Sequence, residues 1–156
     1  MKTNLYPMRG RLYLKSKKYK EPTVCPKCGL VFTGGRWKRL EEKPEGEVNT
    51  ELCPACKCIR DKYFAGVLRI NSDLVKTKNE EIKNLIRNEE EKMQRVSPLR
   101  RIGKIEEDIE KGKMVIHTTF EHLATRIGKA LARAYKGELE IKYKVGVKAV
   151  RVWWKR

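Results

Sequence analysis

Cysteine is the residue of this 156-residue chain best equipped for chemistry, and four of its five cysteines fall into two pairs. Cys25-Pro26-Lys27-Cys28-Gly29 and Cys53-Pro54-Ala55-Cys56 each hold two thiols three positions apart. A C-x-x-C segment can turn tightly enough to aim both thiolates at one ion. Two such knuckles complete a tetrahedral set of four soft donors, which suits Zn2+. Four thiolates leave no open coordination position, so one zinc held by Cys25, Cys28, Cys53 and Cys56 is expected to be structural. A disulfide framework is disfavoured in a cytosolic chain. A redox pair of the thioredoxin kind needs one C-x-x-C in a βαβ setting. The fifth thiol, Cys58, reads as a small buried apolar residue, with exchange for Cys56 as a ligand the alternative.

The second chemical resource is positive charge: 37 Lys+Arg against 20 Asp+Glu give a formal net charge of +17. Its distribution is uneven. Residues 1–24 carry +6, residues 25–60 +2, residues 61–112 +1 and residues 113–156 +8. A composition rich in Lys and Glu with a single Gln, Gln94, fits a hot environment. That accounts for many charges but not for an excess of one sign. Two basic ends around a nearly neutral middle suit a polyanion partner, nucleic acid above all. Three clusters could make the contacts. Arg36, Trp37, Lys38 and Arg39 follow a Gly-Gly turn between the cysteine pairs. Arg126, Lys129, Arg133 and Lys136 recur at steps of three and four, one stripe of a helix. Arg151, Trp153 and Lys155 alternate along a strand. In each, Lys and Arg neutralise phosphates, and in the first and third an exposed Trp can stack on a base.

Enzymatic chemistry is poorly represented. There are two histidines, His117 and His122, and three aspartates, with no nucleophile elbow, phosphate loop or carboxylate cluster. His117 and His122 could pair as acid and base in metal-independent RNA cleavage, beside Arg126 or Lys129. No run approaches the ~18 apolar residues of a membrane span. The N-terminal twenty residues lack a secretory signal's apolar stretch, so a cytoplasmic protein is expected.

The elements that must position these groups read as α+β in four parts. Residues 1–24, with Tyr and Lys/Arg interleaved, read as a basic arm, or in part as a short strand over Arg11–Lys15. Residues 25–60 read as a zinc ribbon. Its hairpin runs from Leu30–Thr33 through Gly34-Gly35 to Arg36–Leu40, since the favoured tight turns need φ > 0 at both central positions. The polar loop Glu41–Thr50 lengthens the gap between the pairs. Residues 61–112 read as a helical hairpin. One helix spans Asn79–Val96, with Ile82, Leu85, Ile86 and Met93 on its apolar face. A second starts at Ser97-Pro98 and carries Leu99, Ile102, Ile105 and Ile109 to Gly112. Residues 113–156 read as a basic βαββ unit. Met114–His117 is a strand, Thr118-x-x-Glu121 a capping box opening a helix to Lys136, and two alternating strands follow, Glu138–Val145 and Val150–Lys155.

The motifs CPKCG…GGRWKR…CPACKCIRD, EIKNLIRNEEE, SPLRRI and HTTFEHLATRIGKALARAYKGELEIKY…VRVWWKR resemble small prokaryotic zinc-ribbon proteins. These are grouped with the nonsense-mediated-decay-type adaptor family of the large ribosomal subunit. The resemblance covers residues 25–156 for the small proteins and little beyond the cysteine pairs for the adaptor. Export segments and further zinc knuckles of the eukaryotic members are absent here. The resemblance implies an RNA- or ribosome-associated zinc protein, and only Cys25, Cys28, Cys53 and Cys56 carry over residue by residue. The expectation is therefore a non-enzymatic protein with one zinc that binds structured RNA, above all the large subunit, in assembly, quality control or dormancy. A DNA-binding regulator is the alternative, and a metal-independent ribonuclease the less favoured one.

Overall fold

The computed structural model describes residues 19–146 and 148–156. Residues 1–18, the larger part of the expected arm, lie outside the described residues. The chain is mixed α+β and carries two sheets.

The small N-terminal sheet has the order β3-β2-β1-β4, from β1 (Thr23–Val24), β2 (Val31–Thr33), β3 (Arg36–Lys38) and β4 (Asn49–Thr50). β2 and β3 pair antiparallel across Gly34 and Gly35, whose φ of 62° and 78° only glycine adopts cheaply. The end of the expected arm belongs to this sheet, because Thr23 and Val24 pair with both β2 and β4. Helix α1 (Pro54–Arg60) follows.

The main sheet has the order β6-β7-β5-β9-β8, from β5 (Gly66–Asn71), β6 (Ile102–Asp108), β7 (Lys113–Thr118), β8 (Glu138–Tyr143) and β9 (Val150–Lys155). Its neighbours pair antiparallel except β5 with β9. Helices α2 (Leu74–Thr77), α3 (Asn79–Val96) and α4 (Glu121–Tyr135) are the other helices among the described residues. Strand alternation sends Leu68, Ile70, Ile116, Val152 and Trp154 to one face, where they pack with Ile82 and Ile86 of α3 and Leu123, Ile127 and Leu131 of α4. Each side chain of this size contributes about 1.5–3 kcal/mol when fully buried. Gly66 is required at the closest approach: a Cβ there would meet the Thr118 hydroxyl and lie 2.8 Å from the Ala124 methyl.

Helix α3 has the bounds expected from its periodicity, and Ile82, Ile86 and Met93 are buried. The second helix of the expected hairpin does not form. Residues 102–108 make edge strand β6 instead, paired with β7 through a turn closed by Gly112 N–H to Ile109 C=O. The spacing of Leu99, Ile102, Ile105 and Ile109 imitated a helical face, yet these residues do not share one environment. Leu99 packs beside the cysteines, Ile102 and Ile105 pack on the main core, and Ile109 is exposed at the turn. Ser97 closes α3, its N–H bonding Met93 C=O, rather than starting a helix. Residues 66–71, also within the expected helical part, form the central strand. The C-terminal unit is consequently not closed on itself, since β5 lies between β7 and β9. The capping box is likewise not made. Thr118 ends β7 and its hydroxyl donates to Phe120 C=O, while Phe120 is the residue that precedes α4.

Among the described residues, no helix is long and apolar enough to cross a membrane.

Candidate metal centre and cationic surfaces

The two cysteine pairs reach one point by different local structures. Cys25 and Cys28 flank a loop closed by Cys25 N–H to Leu30 C=O at 2.8 Å and Gly29 N–H to Cys25 C=O at 3.0 Å, with Gly29 at φ 80°. Cys53 precedes α1 in extended conformation and its sulfur accepts from Cys56 N–H at 3.4 Å; Pro54 takes the first helical position. The four Sγ atoms all lie within 4.8 Å of one another, and Cys28 and Cys53 approach to 3.6 Å. Metal–sulfur bonds of about 2.3 Å give a tetrahedral edge of about 3.8 Å, so the set could hold a metal ion with little movement. None of the four is in a disulfide.

Burial opposes ionisation of Cys25, but backbone hydrogen bonds from Cys53, Cys28 and Lys27 outweigh it and bring the thiol down to about 6. Burial pushes Cys56 up to about 11 and raises Cys53 as well, with the neighbouring sulfurs adding to both. Cys58 is fully buried beside Tyr63 and Phe120, outside the group of four, as the reading of a small core residue requires. Burial holds its thiol at about 12.

One residue of this centre has no sequence signal. Arg101, just before β6, points its guanidinium at the cysteines, 3.7 Å from Cys28 Sγ, 3.8 Å from Cys56 Sγ and 3.9 Å from Cys53 Sγ. Its own geometry is determined by Pro98 C=O, which accepts from Nη2 at 3.0 Å, and by Thr119, which exchanges bonds with the Arg101 backbone. Burial disfavours the Arg101 charge, but the Cys28 hydrogen bond and the charges of Cys53, Cys28 and Cys56 outweigh it and hold its pKa above the usual range. Leu99 packs on both sides of the same junction. The small sheet is thus seated on the main one through a polar and an apolar contact two residues apart.

The three expected nucleic-acid clusters fare differently. Trp37 is buried, with its ring edge-on to Tyr19 at 4.9 Å and to Phe32 at 5.5 Å, so it builds the small core and offers no face to a base. Arg36 is exposed at the hairpin tip, Lys38 is half-buried, and Arg39 donates to Cys28 C=O at 3.1 Å. The stripe on α4 stays together. Lys129, Arg133 and Lys136 are exposed, and Arg126 pairs with the buried Glu89 at 2.7 Å. Arg126, Lys129 and Arg133 line a groove of about 880 Å3 that also takes in Arg100, His122, Tyr143 and Lys148, with Glu121 the carboxylate among the lining residues, whereas Lys136 lies past the end of α4 and outside that lining. Sequence periodicity showed the stripe; Arg100 and Lys148 join it only because the end of α3 and the β8–β9 connection flank α4. Arg151 is half-buried and donates to Val150 and Ala65 carbonyls, so it braces the sheet rather than reaching outward. Trp153 is half-buried and Lys155 exposed on the sheet face opposite the helices.

The two histidines lie apart. His117, on the open sheet face, bonds Glu106 at 2.8 Å and stacks with Phe64, whereas His122 sits on α4 beside Glu121 at 3.5 Å. Burial lowers the His122 pKa, Arg100 and Lys148 adding to this. With the sheet between them they cannot serve as one acid–base pair.

Comparison with protein-family models, curated proteins and solved structures finds no match.

Proposed function

We propose that this chain is a non-enzymatic zinc protein that binds structured RNA, with the large ribosomal subunit the foremost target. The observation that carries the reading is the groove along α4, where Arg100, Arg126, Lys129, Arg133 and Lys148 gather with Glu121 as the one lining carboxylate, and Arg126 is already paired with Glu89. Five cations converging on an elongated concavity match a phosphate backbone. They leave no nearby carboxylate set for metal-dependent hydrolysis, and Tyr143 at the rim adds an exposed ring. The zinc ribbon supplies a stiff base for the hairpin tip at Arg36 and Lys38. Four thiolates select a soft ion, and zinc is the ion that makes such a closed site purely structural. The resemblance to large-subunit adaptor proteins points the same way.

The test is RNA binding as a function of salt. If the four groove cations other than the Glu89-paired Arg126 meet phosphates, the affinity for a folded ribosomal RNA fragment should fall about 150-fold between 50 and 200 mM monovalent salt. Lys129→Glu with Arg133→Glu should lower the salt slope by about two phosphates' worth, leaving a fall of about twelvefold over the same range. A salt-insensitive complex would instead mean recognition of a protein. Equal affinity for duplex DNA would favour the regulator. Chain that stays at the top of a sucrose gradient with ribosomes at low salt removes the ribosomal version. For the metal, one zinc per chain is expected, released by Cys53→Ser; a folded chain that purifies with iron or with no metal overturns the assignment.

A further inference from the structure

Both long helices pack on the same side of the main sheet, and among the described residues no helix covers its other face. Register places the residues of that face in rows. Val115 of β7, Arg69 of β5 and Trp153 of β9 stand side by side, since Arg69 is opposite both Val115 and Trp153. The next row is Lys113, Asn71 and Lys155, paired in the same way. The two rows border a concavity of about 630 Å3. Arg69, Asn71, Lys113 and Lys155 are all exposed, and Trp153 is half-exposed between them.

The charge across the face is positive along its middle and acidic at both edges, where β6 sets Glu106 beside Val115 and Asp108 beside Lys113. The three central strands present Arg69, Lys113 and Lys155 and no carboxylate around the concavity, whereas the edge strand β8 presents Glu138 and Glu140. Glu140 is held by Lys142 at 3.2 Å, and the same Lys142 ammonium lies 5.6 Å from the centre of the Trp153 ring. Phe64 covers only the far end of the face, over His117 and Gly103. A polyanion is therefore attracted to the β7–β5–β9 strip and repelled from both edge strands, β6 and β8. The flat group beside that strip is an indole.

We infer that this sheet face binds an unpaired stretch of RNA, with a base stacked on Trp153 and the flanking phosphates held by Arg69, Lys113 and Lys155. Duplex RNA cannot use the site, because its bases are already stacked and paired, whereas every unpaired base offers a π-face to an indole. The inference rests on the RNA-binding reading of the α4 groove and extends it. The groove and the face lie on opposite sides of one sheet, so the molecule grips a paired element on one side and a loop or single strand on the other.

The experiment uses the full chain, a fluorescein-labelled decauridylate and a 20-base-pair RNA duplex. Trp37 and Trp154 are 6% and 0% exposed, so quenching of tryptophan emission on adding decauridylate reports Trp153. Trp153→Leu should weaken decauridylate binding by about five- to a hundredfold and leave duplex binding unchanged. Trp153→Phe should restore decauridylate binding while losing the quenching. Arg69→Ala with Lys113→Ala should weaken decauridylate binding and lower its salt dependence by about two phosphates' worth. Binding of decauridylate without quenching of the wild type overturns the inference, as does unchanged affinity in either the Trp153→Leu or the Arg69→Ala/Lys113→Ala variant. A wild type that binds duplex but not decauridylate ends this inference alone. One that binds neither ends the RNA-binding reading as well.

Discussion

Replacing Arg101 by methionine keeps an unbranched apolar stem and removes three N–H···S contacts of 3.7–3.9 Å to Cys28, Cys56 and Cys53. A unit positive charge about 4 Å from a thiolate gains about 4 kcal/mol at an effective dielectric of about 20. Taking the guanidinium out of water costs several kcal/mol and offsets much of this. What remains is the ordinary contribution of a partner outside the ligand set, ten- to hundredfold in metal affinity, or about 1.4–2.8 kcal/mol. The sign follows from charge: a divalent ion with four thiolates is doubly negative, and Arg101 is the cation that its buried sulfurs face. The assay is zinc competition against a chromophoric chelator at fixed pH, on wild type, Arg101→Met and Arg101→Lys. Arg101→Lys should fall between the other two, since an ammonium keeps the charge but cannot fork between sulfurs. Arg39→Met is the control, because Arg39 bonds only the Cys28 carbonyl at 3.1 Å and should change affinity less than threefold. The reasoning fails if Arg101→Met competes like wild type, or if Arg39→Met loses as much.

Three other outcomes are expected. Metal uptake requires thiolates, and burial keeps protons on Cys53 and on Cys56, at about 11, while Cys25, at about 6, has lost most of its own at neutral pH. The loaded state thus holds fewer protons, so acid opposes loading and the apparent affinity should rise at least about a hundredfold per pH unit between pH 6.5 and 8; the same competition in buffers of graded pH measures it. Gly66→Ala forces a methyl against Thr118 and Ala124, both tied into the core, and should destabilise by about 1–3 kcal/mol in urea unfolding. Trp154→Ala empties a fully buried site and leaves the Lys136 carbonyl, now 2.7 Å from the indole nitrogen, without its donor, a loss of about 3–5 kcal/mol by the same measurement.

The helix Asn79–Val96 was legible because its apolar residues repeat on one face and no competing pairing partner is near in sequence. Strand Val150–Lys155 was legible for the same reason with period two. Residues 99–109 misled because Ile102, Ile105 and Ile109 satisfy a helical spacing by chance. Pairing with β7, a contact closed only after the chain turns at Gly112, decided the matter in favour of strand. The Gly66–Asn71 strand escaped notice although Leu68, Arg69, Ile70 and Asn71 alternate buried and exposed, because so short a run stands out only once it pairs with β7 and β9.

What the sequence by itself determined is local chemistry: two cysteine pairs at ligand spacing, a cationic stripe every three to four residues, and an excess of positive charge at both ends. A spacing of three or four residues is a statement about one turn of chain, and sequence specifies it directly. Only the tertiary structure decided which of these groups act together. It placed Arg101, 45 residues beyond Cys56, against the sulfurs, buried Trp37, set the sheet between His117 and His122, and aligned Arg69 with Trp153. Such contacts join segments far apart in the chain, and they come into being only when burial of the shared core brings those segments to the same point.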